Sequence, residues 1–103
     1  MAAEGSVAGG ARAGLVGPVL DASDLAGSVL EAILKLNPGA RVSDRGAYRR
    51  VQAEGSCVLT SLAVEEITGQ AFQLPGDLEL VMPAFQGFLT LSAGRVEWSS
   101  ERR

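Results

Sequence analysis

One stretch of this chain has a period with a single reading. Leu25, Val29, Ile33 and Leu36 recur at helical spacing, while Asp24, Ser28, Glu31 and Lys35 fall on the far side. Glu31 precedes Lys35 by one helical turn, the favourable order for a charge pair. Asp21 with Asp24, or Ser23 by itself, offers the N-cap. Asn37-Pro38-Gly39 ends the helix, because proline disfavours helical geometry in its predecessor. Leu30 and Leu34 widen the apolar arc beyond what one sheet contact requires. Such a helix needs an apolar surface to cover, and the rest of the chain supplies mainly short β-type runs broken by glycine and proline.

Leu15–Leu20 is the first of these runs, and Pro18 places it at a sheet edge or makes it an extended arm. Strands are expected at Arg41–Asp44 and Ala47–Ala53 about a turn at Arg45-Gly46, then at Cys57–Thr60 after the Glu54-Gly55 turn. A short helix follows over Ala63–Thr68, ended by Gly69. Beyond Pro75-Gly76, Leu78–Met82 reads as a strand and Pro83–Gly87 as a bend. Phe88–Leu91 and Arg95–Trp98 then form a hairpin about Ser92-Ala93-Gly94. The order predicts one small α+β domain of two β-α-β-β-like halves, with antiparallel sheets and two to three helices. Met1–Gly14 is mostly Ala and Gly, with Val7 its one branched apolar residue, and predicts a mobile tail. The domain is expected over residues 15–98, with a C-terminal tail at 99–103.

Composition narrows the chemistry. The 103 residues contain no histidine, which excludes an imidazole base, a Ser-His or Cys-His pair and a histidine metal ligand. The single cysteine, Cys57, excludes an intrachain disulfide, a thiolate zinc site and a Cys-ligated cluster. Cys57 reads as a small inert residue on a strand. Glu65 and Glu66 are adjacent and would point about 100° apart on a helix, so they do not converge on one ion. Ser56, Ser61 and Ser92 have no base to activate them, and no glycine pair has dinucleotide-loop or Walker spacing. No catalytic, cofactor-binding or metal-binding residue is expected. A net charge of −3 argues against duplex binding, although Arg41, Arg45, Arg49 and Arg50 cluster. No stretch approaches the roughly 20 apolar residues of a membrane span, and the start lacks a secretory pattern. These features predict a cytoplasmic protein.

Three segments together resemble the regulatory (effector, or coupling) proteins of bacterial multicomponent diiron monooxygenases. They are Val16-Gly17-Pro18-Val19-Leu20 with the helix ending at Asn37-Pro38-Gly39; Asp44-Arg45-Gly46-Ala47-Tyr48-Arg49-Arg50-Val51 closed by Ala53-Glu54-Gly55; and Glu65-Glu66 through Gly69-Gln70-Ala71-Phe72 to Leu78-Glu79-Leu80, with Phe85-Gln86-Gly87 beyond. The Val-Gly-Pro start is most similar to the subgroup serving toluene and alkene monooxygenases. The resemblance implies a cofactor-free, non-catalytic subunit of hydrocarbon catabolism. It implies docking on the hydroxylase α subunit beside the diiron centre, a reshaped active-site pocket, raised turnover and coupling, and competition with the ferredoxin component. It implies further that Met82-Pro83-Ala84-Phe85 faces the hydroxylase. Relatives often carry serine or threonine where Pro83 and Ala84 stand, and a capping threonine where Ala63 stands, so the second helix here is expected to shift its start to Thr60 or Ser61.

The candidate partner-binding residues are Met82, Pro83, Ala84, Phe85, Gln86, Arg45, Tyr48, Leu30, Leu34 and Asn37. Phe85 is either a core plug or an aromatic contact anchor. Tyr48 is strand packing or recognition, and Arg45 is a solvated turn residue or the partner of a carboxylate on the hydroxylase. Leu30 and Leu34 are surplus core or docking face. Two functions of other classes fit the same composition: a small-ligand-sensing α+β domain and a purely structural subunit of an assembly.

Overall fold

The computed structural model describes residues 14–102. Strand β1 (Leu15–Asp21) leads into helix α1 (Asp24–Leu36), then β2 (Arg41–Asp44), β3 (Tyr48–Glu54) and β4 (Ser56–Thr60). Helices α2 (Ser61–Thr68) and α3 (Gly76–Glu79) precede β5 (Ala84–Gln86), β6 (Phe88–Ser92) and β7 (Arg95–Ser99). Two antiparallel sheets result, ordered β2-β3-β1-β5 and β4-β7-β6. The units β1-α1-β2-β3 and β4-α2-β6-β7 share one topology, each placing its last strand between the first two. The expected pair of βαββ halves is therefore present. The short β5 is an addition from the second half that completes the first sheet.

Helix α1 starts through a relay that uses both expected caps. The Ser23 hydroxyl accepts from the Ala26 N–H at 3.2 Å, while the Asp21 carboxylate accepts from the Ser23 N–H at 2.9 Å and from its hydroxyl at 2.6 Å. Those bonds hold the Asp21 carboxyl below its ordinary value. The buried stripe is Ala26, Val29, Ala32 and Ile33, rotated from the expected one. Leu25 is half-buried and Leu36 is 41% exposed, because the helix lies against α2 and β4 along its small alanines. Thr60 caps α2 by accepting from the Ala63 N–H at 3.2 Å, so that helix begins at Ser61 rather than Ala63.

Three local expectations are corrected. Pro18 does not mark a sheet edge: β1 is an interior strand, paired with β3 and with β5. The ladder to β3 keeps one register on both sides of Gly17-Pro18 and is interrupted only there, where proline has no N–H to donate. Gly17 (φ 145°) permits this approach, since a Cβ there would lie 2.4 Å from the Val51 carbonyl oxygen. Leu78–Met82 is not a strand. Leu78 and Val81 are buried at i,i+3 spacing, Leu80 is 75% exposed, and the Asp77, Glu79 and Val81 amides donate to carbonyls within the same turn. The bend expected at Pro83–Gly87 is instead β5, recruited opposite Gly17–Val19.

The core joins both sheets and the helices: Val16, Leu20, Val29, Ile33, Val51, Cys57, Leu59, Val64, Phe72, Leu78, Val96 and Trp98 belong to one cluster. Gly87 (φ 106°) is where the chain passes from the first sheet to the second. A Cβ there would meet Val16 Cγ1 at 2.7 Å and the Ser99 carbonyl oxygen at 3.0 Å. Strand β7 runs through Ser99, which is buried, and the Ser100 N–H donates to the Gly55 carbonyl at 2.9 Å, so regular structure passes residue 98. Apart from Gly14, the expected N-terminal tail lies outside the described residues.

Candidate protein-docking surface

Register decides which candidate residues share a face. Directly opposed residues of an antiparallel sheet project to the same side. Across the first sheet, Ser43, Arg50, Val19 and Ala84 form one row, and Arg41, Gln52, Gly17 and Gln86 form another. Tyr48 with Asp21 starts a third. Between them, Val42, Val51, Pro18 and Phe85 project to the opposite side, where Val16, Leu20 and Ala53 are buried in the core. The outer face therefore gathers Tyr48, Ala84 and Gln86 with Arg41, Arg50 and Gln52, and Arg45 sits at the turn joining β2 to β3.

The four arginines divide by use. Arg49 reaches inward and donates to the Asp21 carbonyl at 3.1 Å. Among the described residues, the guanidinium groups of Arg41, Arg45 and Arg50 have no hydrogen bond or ion pair. They are free to meet carboxylates on another molecule, in the planar geometry that makes arginine common at interfaces. Phe85 lies on the core side at the sheet's outer edge and is 46% exposed, so it is half plug and half available surface. Pro83 and Ala84 are exposed, and Met82 is partly buried against the core.

Of the helical candidates Leu30, Leu34 and Asn37, only Asn37 lines a groove with Arg41 and Gln52 of that face. Leu30 packs against the core and Leu34 is 37% exposed, both on α1, which lies against α2, β4 and β1. Asn37 is engaged within the chain. Its Nδ2 donates to the Ile33 and Val58 carbonyls at 2.7 Å each, and its Oδ1 accepts from the Val58 N–H at 2.9 Å. The side chain thus replaces a neighbouring strand along the free edge of β4. Arg41, Arg50 and Gln52 were missed as candidates, although the alternation of Tyr48, Arg50 and Gln52 with Val51 and Ala53 was the signal for them. Leu89 and Leu91 were missed as well: both are exposed on β6.

A half-open groove of about 740 Å³ lies beside the α1 C-terminus, lined by Leu15, Leu36, Asn37, Arg41, Glu54 and neighbours. Its amide at Asn37 is already hydrogen-bonded, and its other polar side chains are Arg41, Gln52, Glu54 and Ser56. No group of three or more His, Cys, Asp or Glu among the described residues is arranged to hold a metal ion. Burial pushes the Cys57 thiol up to about 12, the reverse of what a nucleophile requires. No described helix is long and apolar enough to cross a membrane.

The fold is a doubled βαββ domain whose first sheet carries a polar, arginine-bearing face. Its family is definite: residues 14–99 match the MmoB/DmpM family, and the chain belongs to it. A curated relative, the effector subunit of the alkene monooxygenase system of Xanthobacter autotrophicus (strain ATCC BAA-1158 / Py2), is 37% identical over 86 residues, spanning 82% of this chain and 84% of the relative. The fold matches a chain of the phenol hydroxylase–regulatory protein complex with a TM-score of 0.77 at 22% identity, covering 82% of this chain and 97% of the other. It also matches the soluble methane monooxygenase regulatory protein B with a TM-score of 0.68 at 23% identity, covering 96% and 73%.

Proposed function

We propose that this chain is the effector subunit of a multicomponent monooxygenase, a regulatory and not a catalytic component, and that it docks on the α subunit of a diiron hydroxylase in the cytoplasm. The observation that carries this reading is the 37% identity with an alkene monooxygenase effector along most of both chains. The outer face of the first sheet supports it physically, because Arg41 and Arg50, with Arg45 at the adjoining turn, are unpaired among the described residues and form with Tyr48 and Gln86 a surface suited to a carboxylate-bearing protein. The effector remodels the hydroxylase pocket and raises turnover and coupling. It does so only by the difference in its affinity for two hydroxylase conformations. Ferredoxin competes for an overlapping surface, so excess effector inhibits.

The test is binding to a purified alkene or toluene monooxygenase hydroxylase by calorimetry or interferometry. The double variant Arg41→Glu with Arg50→Glu is expected to slow association by about tenfold at low salt while the fold is kept. Unchanged association would remove this face from the docking surface.

A further inference from the structure

The sheet edges are protected unequally. Strand β2 carries Arg41 and Asp44, and β5 is three residues long and follows Pro83. The outer edge of β4 is occupied by the Asn37 side chain. Strand β6 is less guarded: Arg102 lies over the Phe88 ring at 5.1 Å, but among the described residues no side chain bonds to its outer edge at Leu89 or Leu91. It reads Phe-Leu-Thr-Leu-Ser, is exposed at every position, and contains no charge and no proline. An apolar edge left open in this way pairs readily with another strand.

The ladder shows which groups are free. Val58 turns both its backbone groups outward to Asn37, so Glu97, opposite it on β7, turns its own toward β6. Thr90 lies opposite Glu97 and faces β7. Leu89 and Leu91 therefore present their N–H and C=O groups at the open edge. Their side chains share the face of Trp98 and Val96, which are buried, yet remain 36% and 44% exposed.

We propose that β6 pairs antiparallel with β6 of a second copy of this chain, about a two-fold axis at Thr90. Leu89 then opposes the second copy's Leu91, exchanging both backbone hydrogen bonds, and the symmetry repeats the exchange at Leu91. The two threonines form the close, non-hydrogen-bonded pair between them. The sheets merge into β4-β7-β6-β6-β7-β4, and four leucines close one apolar strip continuous with both cores. The strand is self-complementary in the sense a two-fold interface demands: leucine meets leucine, threonine meets threonine, and no like charges oppose. A five-residue strand gives a small interface, so the dimer dissociates on dilution.

Sedimentation velocity of the full chain, from about 1 µM to about 1 mM, tests this. The sedimenting mass is expected to rise toward twice that of one chain. Leu89→Lys with Leu91→Lys places like charges opposite one another and should leave a monomer, whereas Leu89→Glu with Leu91→Lys sets up opposite-charge pairs and should restore the dimer. In Thr90→Cys, oxidation should join two copies by a disulfide, and this readout stands even if the lysine variant fails to fold. A single-chain mass at every concentration overturns the proposal. So does a dimer indifferent to these charges, or a Thr90→Cys chain that forms no covalent dimer.

Discussion

Replacing Asn37 by alanine separates a structural role from a docking role at a residue named among the partner-binding candidates. Three hydrogen bonds end at this side chain, two at 2.7 Å and one at 2.9 Å, all in a half-buried setting. The Ile33 carbonyl keeps a partner, because the Asn37 backbone N–H also donates to it. Val58 loses both of its partners, and a partly buried polar group left unpaired costs about 1 kcal/mol or slightly more. The sum is about 2–3 kcal/mol, which lowers the melting temperature of a domain this size by roughly 10–20 °C. Chemical or thermal unfolding followed by emission of Trp98, the sole tryptophan and fully buried, reads this directly. Hydroxylase affinity, measured well below the new midpoint, should be unchanged. A stability loss under about 0.5 kcal/mol combined with lost binding would refute the structural assignment.

Other expectations are equally specific. Phe85→Ala should weaken docking by about 2 kcal/mol, roughly 30-fold in Kd, since the ring, on the core side of edge strand β5, is still 46% exposed and within reach of a partner at that edge; normal binding with lower stability would return it to the core. Gly87→Ala should cost about 3 kcal/mol, because φ there is 106° and the new Cβ meets both Val16 and the Ser99 backbone; a neutral effect on unfolding midpoint would contradict the crossing geometry. Cys57, buried and with its thiol pushed up to about 12, should react with a thiol reagent at pH 8 only through unfolding, so its labelling rate should track global stability. The native state holds that proton longer than the unfolded state does. Stability should therefore fall as pH rises above about 9, and a flat profile there would contradict the burial.

Residues whose environment is set by near neighbours were legible from the sequence. The α1 caps, the Gly69 stop, the turn at Glu54-Gly55 and the last hairpin all depend on residues a few positions apart, and all stand where local chemistry places them. The errors came where a distant segment decides. Pro18 is tolerated in an interior strand because Gly17 lets β3 close in and β5 covers the other side, which no local pattern announces. Leu78, Leu80 and Met82 alternate like a strand, yet Pro75, Gly76 and Asp77 start a helical turn that aims Leu78 and Val81 at the core. The proposed docking face was half legible for the same reason. Tyr48, Ala84 and Gln86 were named from separate segments, and only the pairing of β3 with β1 and β1 with β5 brings them to one side. Asn37 was recognisable as a helix stop, but its bond to Val58, far along the chain, is a tertiary fact.

The central claim is that this chain acts by contact with a larger oxygenase component. Its most direct test is steady-state oxidation by a purified diiron hydroxylase, with reductase and ferredoxin fixed and this protein varied. A rate and coupling efficiency that climb to an optimum near one chain per hydroxylase active site, then decline as ferredoxin is displaced, are the predicted result. A rate independent of added protein across that range would contradict the account.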